Sequence, residues 1–112
     1  MKKWLILLLL PFYSLNAQNY KEDISVVQYS APFTKDSEIS LKPFKDYNTY
    51  TFYITEKKKI FEEDEVVYLP TLILYYNGKE IIRVESGISL KYPDDAEKKI
   101  TKEIEKIIES KF

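Results

Sequence analysis

The sequence contains no cysteine and no histidine, and it has only two glycines among its 112 residues. Without a thiol or an imidazole there is no disulfide, no thiolate nucleophile, no histidine general base and no zinc site of the usual type. Two glycines, one of them in an Asn-Gly pair, are too few for a glycine-rich phosphate loop. These absences exclude most small enzymes and the common nucleotide-binding motifs.

The sequence also lacks an excess of charge of either sign. Its 17 basic and 18 acidic residues are intermixed and give a net charge of −1, so no positive stripe is available to bind nucleic acid. The acidic run at residues 62–65 lacks the alternating ligands and the glycine of a calcium loop, and we interpret it as a solvated helix face. We therefore predict no metal site, no cofactor and no nucleic-acid partner.

The first 17 residues have the order of a secretory signal peptide. Lys2 and Lys3 precede an apolar run at 4–12, and a small or polar stretch ends at Ala17. Because the run is shorter than the roughly 20 residues that a membrane-spanning helix needs, cleavage is favoured over an uncleaved N-terminal anchor. No cysteine follows for a lipid anchor. The prediction is a signal peptide at 1–17, one domain at 18–112, a periplasmic or secreted location, and no membrane association after cleavage.

What the sequence does contain is enough apolar material for a core, with 45% hydrophobic and 15% aromatic residues. Runs rich in β-branched and aromatic residues predict strands, and the Asn77-Gly78 pair predicts a tight hairpin. The predicted elements are, in order, a strand at 24–30, a short or broken helix within 34–46, a strand at 50–55, a surface helix at 56–65, a buried strand within 66–76, a strand at 79–86 and an amphipathic helix at 94–112.

Two of these segments indicate how the elements are arranged in the fold. Residues 66–76 contain no charge and would promote aggregation if exposed, so we place them in the middle of the sheet. The last segment aligns Ala96, Ile100, Ile104, Ile107 and Ile108 on one stripe of a helix that covers a sheet face. A strand-helix-strand unit implies a parallel pair, and the hairpin adds an antiparallel one. The fold class is therefore α/β.

Two stretches, residues 26–33 and residues 68–80 followed by Gly87, resemble the thioredoxin superfamily. The resemblance implies a thioredoxin-like fold, with a four-stranded mixed sheet flanked by helices and a reduced N-terminal part. It also implies that Pro70 is the cis-proline beside the active site of that family. A trans proline at the start of a strand is the alternative.

The same resemblance places the family's Cys-x-x-Cys motif at residues 34–37, where Thr34 and Ser37 replace both cysteines. Dithiol exchange needs a thiolate to attack and a second thiol to resolve, so the resemblance implies a redox-inactive member. Gln28 occupies the place of the family's buried acid. We interpret Thr34, Asp36 or Ser37 as a cap of the short helix rather than as a catalytic hydroxyl.

The function implied is a non-catalytic module that binds an extended segment of another envelope or secreted protein. The predicted binding surface lies around the cis-proline and the start of the short helix, and it comprises Phe33, Thr34, Tyr68, Leu69, Pro70 and Gly87. Alternatively, Phe33 and Tyr68 complete the core. Two other functions stay open, a structural accessory subunit of an envelope assembly and a hydroxyl-assisted thiol-transfer enzyme that uses Thr34 or Ser37.

Two lysines, an apolar run and a small or polar stretch that ends at Ala17 follow one another, and this order predicts that the exported protein begins at Gln18. Signal peptidases cut after a small residue, and Ala17 supplies it. Intact-mass spectrometry of the exported chain should give the mass of residues 18–112. A chain that retains Met1 would contradict this prediction.

Overall fold

The computed structural model describes residues 19–111, and the predicted signal peptide lies outside them. The strands are β1 (Ile24–Ser30), β2 (Asn48–Tyr53), β3 (Thr71–Tyr76) and β4 (Lys79–Glu85). The α-helices are α1 (Ile54–Glu63) and α2 (Ala96–Lys111). Short 3-10 segments occur at Asn19–Lys21, Pro32–Ser37, Lys42–Phe44 and Gly87–Ser89.

The four strands form one mixed sheet in the order β2-β1-β3-β4. β1 is parallel to β2 and antiparallel to β3, and β3 is antiparallel to β4. The inner strand β1 is buried along its whole length, because it has a neighbour on each side and both faces of the sheet are covered. This arrangement confirms the predicted four-stranded mixed sheet and the α/β class.

Each face of the sheet has its own apolar cluster. On one face, Ile100 and Ile104 of α2 pack with Val26, Leu72 and Leu74 of the inner strands. Four residues of the stripe predicted for this helix, Ala96, Ile100, Ile104 and Ile107, are buried, and the fifth, Ile108, is half-buried against the same cluster. The opposite cluster combines alternate residues of the same strands with helix α1, in particular Val27, Tyr29, Ile73, Tyr75 and Phe61.

Three predicted segments differ from the structure. The helix expected within 34–46 is two separate 3-10 segments, because prolines at 32 and 43 each remove a backbone donor. The second strand starts at Asn48 and ends at Tyr53, and α1 begins at the next residue. In the uncharged stretch 66–76 only residues from Thr71 onward form a strand, since Pro70 has no N–H for the ladder.

The acidic run at 62–65 is not entirely a solvated face, because Asp64 is buried. Its Oδ2 accepts hydrogen bonds from the hydroxyls of Tyr20 and Tyr29, each at 2.7 Å, and its Oδ1 pairs with Lys21 Nζ at 2.7 Å. The Tyr29 hydroxyl also lies 2.7 Å from that of Tyr75. A buried carboxylate needs such partners to offset its lost hydration, and here they join β1, β3, the end of α1 and the N-terminal 3-10 segment.

The tyrosines around Asp64 predict a loss of stability in alkaline solution. Burial, the largest cause, raises the pKa of Tyr20, Tyr29 and Tyr75 above the ordinary value. Below pH 10 both the folded and the unfolded chain keep these protons, so the contribution of the three tyrosines to the free energy of unfolding is fully present. Above pH 10 the unfolded tyrosines ionise while the folded ones do not, and the free energy of unfolding falls. For the fully buried Tyr29 the slope is about 1.4 kcal/mol per pH unit.

Denaturant titrations between pH 8 and pH 11 measure this slope. The matched control is Tyr29→Phe, which keeps the ring, loses one ionisable proton and should therefore show a shallower alkaline decline than the wild-type chain. A wild-type free energy of unfolding that stays constant across this range would contradict the assignment of these hydroxyls as protonated in the folded state.

Candidate functional site

Three loops meet at one end of the sheet because of the strand register. Tyr29, near the end of β1, lies opposite Thr71 at the start of β3, and Thr71 lies opposite Glu85 at the end of β4. The segments that follow β1, precede β3 and follow β4 therefore emerge side by side. They comprise residues 31–37, 66–70 and 86–93.

These loops carry the exposed apolar side chains. Within residues 19–111, every large hydrophobic side chain that is largely exposed belongs to one of them: Phe33 at 72%, Val67 at 76%, Tyr68 at 40%, Ile88 at 95% and Leu90 at 43%. We call these five residues the apolar end. A concentration of exposed apolar side chains is typical of a surface that contacts a ligand or a partner.

A single buried side chain, Gln28 of β1, holds the loop at 86–93 through Tyr92 and holds the segment that follows the loop at 31–37 through Ile39. Its Oε1 accepts hydrogen bonds from the Ile39 N–H at 3.0 Å and the Tyr92 hydroxyl at 2.9 Å. Its Nε2 donates to the Ile39 carbonyl at 3.2 Å and to Thr51 Oγ1 at 3.4 Å. Both donors and both lone-pair directions of the amide are thus used. Burial raises the pKa of the Tyr92 phenol, which keeps it a neutral donor.

The loop at 66–70 has its own restraints. The Thr71 hydroxyl donates to the Tyr68 carbonyl, and the Ser86 N–H donates to the Pro70 carbonyl at 3.2 Å. Arg83 donates to the carbonyls of Asp64 at 2.7 Å and Glu65 at 2.8 Å, which holds the chain as it enters this loop. The exposed apolar side chains are therefore mounted on anchored backbone rather than on free loops.

The predicted binding residues are only partly surface residues. Phe33 and Tyr68 are exposed, so Phe33 does not complete the core, whereas Leu69 is half-buried against the α1 cluster and Pro70 is buried. The Leu69–Pro70 peptide bond is cis. Gly87 has a φ of +71° and open space where a side chain would begin.

Thr34 is a correction to the predicted surface, because it is buried and only 2% exposed. Its Oγ1 accepts a hydrogen bond from the Ala31 N–H at 3.1 Å, donates to the Ala31 carbonyl at 3.2 Å and lies 3.1 Å from Ser30 Oγ. The hydroxyl therefore closes the turn after β1, as a capping side chain does. Ser37 is half-buried and Asp36 is exposed.

Sequence reasoning missed Val67, Ile88 and Leu90 as members of the apolar end. Single apolar residues in loops produce no periodic pattern, so only the strand register brings them to the same end as Phe33. The role of Gln28 was also missed, since its partners Ile39 and Tyr92 lie 11 and 64 residues away along the chain.

Similarity to known proteins is found among solved structures. No protein-family model matches the sequence, and no curated protein matches it either. Among solved structures, a thioredoxin from Nicotiana alata is 25% identical with a TM-score of 0.61, and the match covers 80% of this chain and 81% of that one. A thioredoxin from Malassezia sympodialis is 18% identical with a TM-score of 0.59, over 76% and 80% of the two chains. The chain has the thioredoxin-like fold.

The oxidised thioredoxin of Plasmodium falciparum also matches, at 18% identity and a TM-score of 0.54, over 74% of this chain and 83% of that one. This thioredoxin-like chain contains no cysteine, so it cannot carry the Cys-x-x-Cys motif that the sequence resemblance places at residues 34–37. Within residues 19–111, no group of three or more acidic side chains is arranged to hold a metal ion. Nor does any helix of that part have the length and apolar character needed to cross a membrane.

The hydrogen bonds of Gln28 predict a large effect of Gln28→Leu on the stability of this thioredoxin-like domain. Leucine has a similar volume but leaves both backbone groups of Ile39 and the Tyr92 hydroxyl without their partner. We expect the free energy of unfolding to fall by about 3 kcal/mol, as measured by denaturant titration.

The matched control is Thr51→Val, which removes only the longest hydrogen bond of the Gln28 amide, at 3.4 Å, and leaves its bonds to Ile39 and Tyr92 in place. Its expected cost is about 1 kcal/mol or less. A Gln28→Leu variant that unfolds at the wild-type midpoint would show that the amide does not stabilise the segments that carry Ile39 and Tyr92.

Proposed function

We propose that this chain is a non-catalytic thioredoxin-like domain that binds an extended apolar segment of another protein at its apolar end. The observation that carries the proposal is the concentration of exposed apolar side chains in the three loops around Pro70. The proposed ligand comes from an envelope or secreted protein, because the sequence of residues 1–17 predicts export.

The residue types at the apolar end suit binding of an extended segment. Phe33 and Tyr68 offer large aromatic surface that has few rotatable bonds to immobilise, and Tyr68 also carries a hydroxyl. Ile88 and Leu90 add aliphatic surface on the neighbouring loop. An extended strand presents alternate side chains to such a surface while its backbone stays available for hydrogen bonds.

Charge gives the surface little selectivity. The exposed charged residues on these loops are of both signs, namely Lys35, Asp36 and Lys91, and the exposed Glu65 immediately precedes the loop at 66–70. A ligand is therefore expected to be selected by its apolar side chains rather than by a net charge, and binding should depend only weakly on salt.

The residues at 34–37 support a role without dithiol exchange. Thiol-disulfide exchange requires a thiolate, and the chain has no sulfur nucleophile to supply one. The Thr34 hydroxyl faces Ala31 and Ser30 inside the domain, so it is not presented to a bound thiol. These features support a binding role and give no support to hydroxyl-assisted thiol transfer.

The test is selection of a random peptide library displayed on phage against the immobilised chain. Peptides enriched in aromatic and aliphatic residues are expected. For a selected peptide, Phe33→Ala and Tyr68→Ala should each weaken binding about tenfold, which corresponds to about 1.4 kcal/mol of lost affinity. Isothermal titration calorimetry measures the change.

The control is Lys102→Ala, which shortens an exposed side chain on α2 away from the three loops and should leave affinity unchanged. Failure to enrich any peptide over the bare support would overturn the proposal. So would a selected peptide whose affinity is the same for both aromatic variants and the wild type.

A further inference from the structure

The two outer strands of the sheet differ in how well they are protected from pairing with a strand of another chain. β4 carries the charged residues Lys79, Glu80, Arg83 and Glu85, and its register with β3 shifts between Leu74 and Tyr75. Charges and an irregular ladder are the ordinary devices that keep an edge strand from accepting another strand. The β4 edge is therefore protected.

The β2 edge has none of these devices. Its sequence, Asn-Thr-Tyr-Thr-Phe-Tyr, contains no charge and no proline, and six consecutive residues pair in regular register with β1. Among residues 19–111, β2 has no strand neighbour other than β1, and every one of its residues is exposed or half-buried. A regular, uncharged edge of β-branched and aromatic residues is a template for a further strand.

Symmetry limits how two copies of β2 can pair in one continuous sheet. A two-fold axis perpendicular to the sheet keeps each residue on the same face, and directly opposed residues of antiparallel strands share a face. The axis must therefore pass between the two copies of one residue, so that this residue lies opposite itself in the second copy. Centring it on Thr51 places Thr51 opposite Thr51, and Tyr50 opposite Phe52 of the second copy at two equivalent positions.

This register continues a feature already present within one copy. The rings of Tyr50 and Phe52 stack with centroids 5.8 Å apart, and Tyr20 meets them edge-on at 6.5 Å and 5.2 Å. Pairing about Thr51 extends this aromatic row across both copies, and cross-strand aromatic pairs are among the favourable ones. Centring on Tyr50 instead would set Tyr50 opposite Tyr50 and Phe52 opposite Asn48, which leaves one aromatic pair in place of two.

We propose that the β2 edge is a self-association surface, and that its occupant is β2 of a second copy, antiparallel and centred on Thr51. No like charges oppose one another in this register, because β2 has no charged residue. The surface lies at the side of the sheet and is separate from the apolar end.

Single-cysteine variants of the full chain test both the contact and its register, since the chain has no other cysteine. Opposed residues of an antiparallel pair have Cα atoms about 4.5 or 5.5 Å apart, within the range of a disulfide. Thr51→Cys is therefore expected to form a covalent dimer on mild oxidation, visible on a non-reducing gel. Thr49→Cys is the matched control, because its two copies would be about 13 Å apart along the strands and should not cross-link.

Sedimentation equilibrium supplies the second measurement. The wild-type chain is expected to show a dimer fraction that rises with concentration, while Thr51→Lys sets two ammonium groups opposite each other and should be monomeric. Mixing Thr51→Lys with Thr51→Glu should restore the dimer, which shows that each variant is folded. A wild-type chain that stays monomeric at its highest soluble concentration, or cross-linking by Thr49→Cys in place of Thr51→Cys, would overturn the proposal.

Discussion

The hydrogen bonds of the Gln28 amide are the constraint on which the arrangement of this domain most depends. The side chain lies in the inner strand β1 and reaches the backbone of Ile39, the hydroxyl of Thr51 and the hydroxyl of Tyr92. One residue thus joins the segment after β1, the edge strand β2 and the segment before α2. An amide suits this position because it both accepts and donates, whereas a carboxylate could not donate to the Ile39 carbonyl.

The opposite face of the sheet has a second buried polar centre at Asp64, bound by Lys21, Tyr20 and Tyr29. Among residues 19–111, no buried side-chain nitrogen or oxygen lacks a hydrogen-bond partner. Small domains are often stabilised by disulfides, and this chain has no cysteine to form one. Two satisfied polar networks, one on each face, instead give the elements of the sheet their fixed relation, in addition to the packing of the apolar clusters.

The parts of the fold that local pattern determines were predictable, and those that depend on distant partners were not. The hairpin at Asn77-Gly78 and the stripe of α2 follow from turn chemistry and from a period of 3.6 residues. Burial of Asp64 could not be predicted, because its tyrosine partners lie 35 and 44 residues away. At the apolar end, the family resemblance indicated Phe33 and Tyr68. It misplaced Thr34, whose exposure depends on the turn that its own hydroxyl closes.

The central claim is that the three loops around Pro70 form the ligand surface of this thioredoxin-like domain. Amide chemical-shift mapping tests it most directly, with the isotopically labelled chain titrated by the peptide that binds it best. The perturbed amides are expected in residues 31–37, 66–70 and 86–93, with those of β2 and the outer face of α2 unchanged. Perturbations centred on β2, or on the far end of the sheet beside Asp23 and Lys111, would contradict it.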